Sequence, residues 1–301
     1  MVKRFLSYVE IMTKITSVFP FLYTIAFLLV LNQPINIKLT VIFFAAMFLF
    51  DLTTTAINNY IDTKDNHQTL QFDRKVAFVI IVVLFTLSTA LGIYLAYLTD
   101  IVVFLLGVLC FAFGVFYTFG PVPISRQPLG EIFSGFFYGL VIPFILLYIN
   151  MPKGYFLTLD VASNNISLDI NIVHMFYVLL LSIAPALVTA NIMLANNTCD
   201  LEHDIAVKRH TLPYYIGVKS SLRLFAFMYY AVYASSILLV IFGIVHPVYL
   251  LSLLSIVIVQ KNINAFKKEQ IKSKTFVLAV KNFIIIMSLN VIMMFICGLI
   301  T

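Results

Sequence analysis

Charge is scarce in this chain. Asp, Glu, Lys and Arg make up 11% of its 301 residues, against 62% hydrophobic residues and a mean hydropathy of +1.03. That leaves too little polar surface to cover a soluble globule, so the expected solvent is a bilayer. Cysteine is scarcer still. Cys110 and Cys297 lie within apolar runs and Cys199 stands apart from both, so no paired spacing exists for a disulfide framework or a cysteine metal site, and Cys199 reads as a bystander. A small-residue cleavage pattern is also missing behind the first apolar run, which predicts a first helix that stays in place rather than a removed signal peptide.

What is there is a series of apolar runs, each near the roughly 20 residues that a helix needs to cross a bilayer. They cover 15–31, 39–60, 76–98, 101–119, 132–149, 172–195, 222–245 and 283–300, and a shorter run at 248–259, after His246 and Pro247, extends to a ninth. The expected fold is all-α: a polytopic membrane protein with nine transmembrane helices around a central cavity, residues 1–301 forming one domain. Basic residues set its orientation, because cytoplasmic loops hold the excess of Lys and Arg. With the N-terminus inside, 17 of the 19 basic residues fall at one face, and only Lys38 and Lys153 at the other. The expectation is a multi-pass plasma-membrane protein with cytoplasmic N-terminus and motif loops and an external C-terminus. The net charge of +6 and pI near 9.1 then express topology and attraction to membrane lipid rather than nucleic-acid binding. The run 261–274, centred on Lys267 and Lys268, reads as an inner-leaflet anchor.

The few carboxylates are not scattered. The pattern Asn-Asn-x-x-Asp occurs at the end of the second apolar run, as Asn58, Asn59 and Asp62, and again at the end of the sixth, as Asn196, Asn197 and Asp200. Each copy is followed by another acid, Asp65 or Asp204. A block of four helices thus recurs at its motif ends, which predicts one cavity between two related halves. On a helix, Asp51, Thr55, Asn58 and Asp62 share one face, and an ionisable residue inside a span normally faces the bundle interior or a wet cavity. Asp65 and Asn66 compete as the next ligand after Asp62, and charge favours Asp65. A helical continuation through the second motif would put Asp200, Asp204 and Lys208 on one face as well.

Magnesium takes one or two carboxylates plus substrate phosphates and keeps waters. Lys208 and Arg209 suit the remaining phosphate oxygens, Arg as a planar fork and Lys as a point charge. The acids Asp62, Asp65, Asp200 and Asp204 are therefore candidate Mg²⁺ ligands, and Asn58, Asn196, Lys208 and Arg209 candidate diphosphate contacts. Lys14 either pairs with Glu10, four residues before it, or contacts diphosphate. Tyr117, at the end of the fourth run, is either an interfacial belt residue or a ring beside the diphosphate or a developing cation. Glu202, His203 and His210 are left without a role.

With these motifs the chain resembles the UbiA superfamily of intramembrane prenyltransferases, and the resemblance covers nearly all of it. Its most similar branch is the bacterial 1,4-dihydroxy-2-naphthoate prenyltransferases of menaquinone synthesis. That likeness rests on Asn58-Asn59-Tyr60-Ile61-Asp62, on Asp204 with Lys208-Arg209-His210-Thr211-Leu212, and on Tyr117-Thr118-Phe119-Gly120-Pro121-Val122-Pro123 with Leu129-Gly130-Glu131. One departure is Asn66, where a second acid four residues after Asp62 would stand. The resemblance implies transfer of a polyprenyl group from polyprenyl diphosphate to an electron-rich dihydroxynaphthoate, at the carbon bearing its carboxylate, with loss of carbon dioxide and diphosphate. It also implies Mg²⁺ as cofactor and Asp62, Asp200, Asp204 and Tyr117 as catalytic groups. A UbiA-type enzyme with another aromatic or lipid acceptor is the rival within the class. A cation-coupled transporter is the rival outside it, although transporters more usually place ionisable groups near the midplane.

Overall fold

The apolar runs become helices because a backbone in hydrocarbon must satisfy its own N–H and C=O groups. In a computed structural model, the residues described are 1–65, 69–120, 123–162 and 165–301, the side chains of Lys64 and Asp65 excepted. Among them, nine helical segments are long and apolar enough to cross a membrane, from Ile11–Val30 to Phe276–Ile300. The nine-span reading holds, with ends shifted by a few residues. The largest shift is in the seventh span, which begins at Leu212 instead of 222.

The helices are α1 (Val2–Tyr8), α2 (Ile15–Val30), α3 (Ile37–Asp65), α4 (Arg74–Leu98), α5 (Ile101–Thr118), α6 (Gly130–Phe136), α7 (Ile142–Tyr148), α8 (Ile172–Cys199), α9 (Leu201–Ala206), α10 (Leu212–Ile241), α11 (Ile256–Lys268) and α12 (Phe276–Ile300). A 3₁₀ turn, Ile11–Lys14, leads into α2, and another, Pro247–Ser255, leads into α11. The chain divides into two compact units, Met1–Val18 with Ile35–Ile124, and Phe19–Pro34 with Ser125–Thr301.

In the first unit α3, α4 and α5 pack together, and α1 is pinned to them by one side chain. Tyr8 is fully buried in a cluster with Leu52, Ala56, Ala77 and Ile81, and its hydroxyl donates to the Ala56 carbonyl at 3.0 Å. Arg74 opens α4 by donating to the Tyr60 carbonyl at 3.1 Å while its guanidinium lies over the Tyr60 ring. The motif end of α3 is thereby tied to two neighbouring elements.

In the second unit α8 is the most enclosed of the nine spans. The fifth span packs on it through small residues. Between α6 and α7 the backbone makes a π turn, Phe137–Val141, of the kind that inserts a residue into a helix and tends to mark functional positions. A side chain at Gly139 would meet Ala186 of α8 at 2.2 Å, so only glycine permits this approach. Buried polar pairs join other helices, Tyr23 with Tyr249 at 2.8 Å and Tyr233 with Ser255 at 3.0 Å, the kind of interhelical tie that holds membrane bundles. Within α10, Gly217 breaks the helix with φ +74°, a backbone conformation that glycine adopts without strain.

One element was not expected. The loop carrying Lys153 folds into an antiparallel hairpin of β1 (Leu157–Val161) and β2 (Ile166–Ile170), Leu159 opposite Leu168. Its period-two alternation, Leu-Thr-Leu-Asp-Val and Ile-Ser-Leu-Asp-Ile, is the signal that could have found it.

Candidate active site

In the first unit, α3 runs unbroken through its motif to Asp65, so Asp51, Thr55, Asn58 and Asp62 do lie along one helix. The upper part of that stripe is already occupied. Lys14, 3% exposed, donates to the Asp51 carboxylate at 2.9 Å, to the Asp51 carbonyl at 3.0 Å and to the Thr55 hydroxyl. Ser17 donates to the second Asp51 oxygen at 2.6 Å. Three acceptors use the three ammonium protons, so Lys14 is neither Glu10's partner nor a ready diphosphate contact. Its burial explains why: a charge taken out of water needs its partners at full geometry.

Asn58 and Asn59 divide their work. Asn58 Oδ1 accepts from the Thr118 hydroxyl at 3.2 Å, joining α3 to the end of α5 beside Tyr117. Asn59 Nδ2 donates to the Tyr8 carbonyl at 2.8 Å and to Glu10 Oε1 at 3.2 Å. Asp62 and Tyr117 are half-buried at the same ends of their helices. Asp65 closes α3 with its side chain outside the described residues, as are Asn66, Pro121 and Val122 altogether.

In the second unit the helix does not continue through the motif. α8 stops at Cys199, Asp200 turns the chain at φ −95°, ψ 4°, and α9 is a separate short helix. Lys208 then adopts φ +57°, so the expected single face of Asp200, Asp204 and Lys208 is broken at its last member. The turn is held from within: the Arg209 amide donates to the Asp204 carbonyl at 2.7 Å, and the His210 amide to the Arg126 carbonyl at 3.1 Å. Asp204 is buried and accepts from the Thr211 hydroxyl at 3.3 Å. Burial pushes its carboxyl above the usual carboxylate range and the charge of Asp200 adds to that, while Arg209, the Thr211 bond and His203 oppose it. A carboxylate desolvated beside a second one favours a cation.

A cation is there already, and it belongs to the protein. Lys272, in the loop between α11 and α12, donates from Nζ to both Asn196 Oδ1 and Asp200 Oδ2. Its ammonium also lies 5.2 Å from the centroid of the Phe276 ring. The first Asn and the Asp of the motif are therefore arranged to hold one positive centre, and Lys272 is not only part of a lipid-facing basic run. Asn197 turns the other way, donating to Glu131 Oε1 of α6 at 2.9 Å. Glu131 is 4% exposed, and its other oxygen, Oε2, has no hydrogen-bond partner among the described residues. Thr118, Lys272 and the pairing of Glu131 had no signal in local spacing.

Among the described residues, no three His, Cys, Asp or Glu side chains gather as a metal cluster. The donor types nevertheless fit Mg²⁺, which is held by few carboxylates together with phosphate oxygens and waters, and Asn196 and Asp200 already accept from one ammonium.

Residues 17–284 match the UbiA prenyltransferase family, and the chain belongs to that family. It is an integral membrane protein. A stretch of 161 residues, 54% of the chain, is 30% identical to 1,4-dihydroxy-2-naphthoate octaprenyltransferase of Bacillus subtilis (strain 168), and the match spans 45% of that relative's length. Among solved structures, the chain shares its fold with a UbiA homologue from Aeropyrum pernix K1, at 19% identity and TM-score 0.66 over 93% of this chain and 97% of that one. It shares it also with a UbiA homologue from Archaeoglobus fulgidus bound to DMAPP and Mg²⁺, at 12% identity and TM-score 0.62 over 99% of this chain and 100% of the other.

Proposed function

We propose that this protein transfers a polyprenyl group from polyprenyl diphosphate to 1,4-dihydroxy-2-naphthoate, with loss of carbon dioxide and diphosphate, to give demethylmenaquinol. The observation that carries the site is the convergence of Asn196 and Asp200 on one cation at the end of α8. The acceptor rests on the Bacillus subtilis relative, and a prenyl diphosphate donor on the family and on the ligand of the Archaeoglobus fulgidus homologue.

Asp62, Asp200 and Asp204, with Asp65 as the further candidate, would hold Mg²⁺. When bound, Mg²⁺ supplies the charge that neutralises a departing diphosphate. Arg209 and Lys208 contribute to the same end from the turn after α9, because their charge is worth most when negative charge grows on the leaving oxygen. Asn58 and Asn196 orient the phosphate oxygens as neutral partners. Tyr117 sits at the same helix end as Thr118 and offers its ring to positive charge on the allylic carbon. The apolar helices exclude water, which would otherwise capture that carbon. The chain is proposed to act as one domain in the plasma membrane, with both motifs at the cytoplasmic face.

Mg²⁺-dependent prenylation of dihydroxynaphthoate by membranes containing the protein tests the reading, and activity with a different aromatic acceptor alone would replace the naphthoate. Reporters fused after Lys64, Arg126, Lys208 and Lys268 should register cytoplasm and one after Lys153 the outside. A cytoplasmic signal at Lys153 would overturn the topology.

A further inference from the structure

Lys272 holds a position that the proposed reaction needs for something else. Its ammonium and a metal ion cannot both take Asn196 Oδ1 and Asp200 Oδ2 at bonding distance, because each would bring its full positive charge to the same two oxygens. Nor is Lys272 placed there by a loose tail. The segment after α11 closes on itself, the Lys274 and Thr275 amides donating to the Ile271 carbonyl at 3.0 and 2.8 Å and the Ile271 amide to the Thr275 hydroxyl at 2.9 Å. The Lys272 side chain leaves from the middle of this turn, beside the Phe276 ring. The neighbouring Lys274 is engaged elsewhere, with Glu269 at 3.6 Å.

The pair is open to water. Its side chains are 46% and 27% exposed, for Lys272 and Asp200 respectively, and ion pairs with such access to water contribute little. The contrast is the buried pair of Lys14 and Asp51, at 4% and 6%. Diphosphate would offer Lys272 several charged oxygens in place of one carboxylate.

We propose that Lys272 is a diphosphate-binding residue that couples metal and diphosphate entry: it occupies the cation position of the second motif until diphosphate draws its ammonium away and frees Asp200. This rests on the reading of Asp200 as a metal ligand. Metal and diphosphate should then bind cooperatively, since each removes an obstacle to the other. Coupling of this kind is reciprocal, so the same lysine should weaken metal binding alone and strengthen diphosphate binding.

The full chain in detergent, wild type and Lys272→Met, would be titrated with Mn²⁺ alone by electron paramagnetic resonance. Retention of radiolabelled inorganic diphosphate would be followed with and without Mg²⁺. Methionine keeps the stem over Phe276 without its charge. The expected result is about fivefold tighter Mn²⁺ binding without diphosphate, about tenfold weaker diphosphate retention with Mg²⁺, and restoration of both in Lys272→Arg. Unchanged Mn²⁺ and diphosphate affinities in Lys272→Met overturn the inference and leave the metal reading intact. Wild-type Mg²⁺-dependent diphosphate retention in Asp200→Asn would instead overturn the metal reading, and this inference with it.

Discussion

In the first motif the second asparagine, Asn59, donates to the carboxylate of Glu10; in the second motif its counterpart, Asn197, donates to the carboxylate of Glu131. Glu10 stands just before the first span and Glu131 in the first turn of the fifth, so the four-helix repeat suggested by the motifs extends to the acids that receive them. The first asparagines correspond too, Asn58 Oδ1 accepting from Thr118 and Asn196 Oδ1 from Lys272. The copies differ in where they keep their cation. The first holds Lys14 in a closed network around Asp51, well before its motif, whereas the second holds Lys272 on the motif itself, open to water. One cation belongs to the architecture and the other is exchangeable.

The sharpest way to break that contrast is to remove each lysine. Lys14→Met should cost about 3–5 kcal/mol, because it strands a buried carboxylate, and Lys14→Met with Asp51→Leu should recover most of the loss. Lys272→Met should stay within about 1 kcal/mol. Thermal unfolding in detergent, followed by circular dichroism, decides, and equal losses would erase the distinction.

Next in size are the acids. Asp62→Ala, Asp200→Ala and Asp204→Ala should each leave the protein inserted while prenyl transfer falls about 10²–10³-fold, the scale of losing one electrostatic contact to developing charge. Normal turnover in any two of them would end the metal–diphosphate reading. Asp65 and Asn66, substituted separately, settle which follows Asp62 as a ligand by which loses more.

Arg209→Ala should lower kcat about ten- to a hundredfold, as expected for a charge-assisted contact of roughly 1.5–3 kcal/mol, and leave the acceptor's KM unchanged. A change confined to that KM would move Arg209 to the acceptor.

The smallest effect compares the paired asparagines. Asn197→Ala removes the donor from a buried Glu131 whose other oxygen has no hydrogen-bond partner among the described residues, for about 1–3 kcal/mol. Asn59→Ala leaves an exposed Glu10 that water can serve, so it should cost about 1 kcal/mol. Denaturant titration of the two variants measures the difference.

The nine spans were legible because hydropathy is a local property, averaged over about 20 residues. The motifs were legible because both repeat the same short spacing. What stayed hidden depends on distance along the chain. Lys14 reaches Asp51 across 37 residues and Lys272 reaches Asp200 across 72, separations at which no periodicity operates. The same limit hid the pairing of Asn197 with Glu131. The breaks after α8 and α9 were missed for another reason: acids four apart look helical, and only the backbone angles at Asp200 and the left-handed conformation of Lys208 show where the chain turns away.

The contact between Lys272 and the Phe276 ring has an optical use. The chain contains no tryptophan, so Phe276→Trp would introduce a single indole, with emission that an ammonium over its ring face perturbs. Departure of Lys272 from Asp200 would then be read directly as a change in fluorescence, in real time and against no background from other indoles.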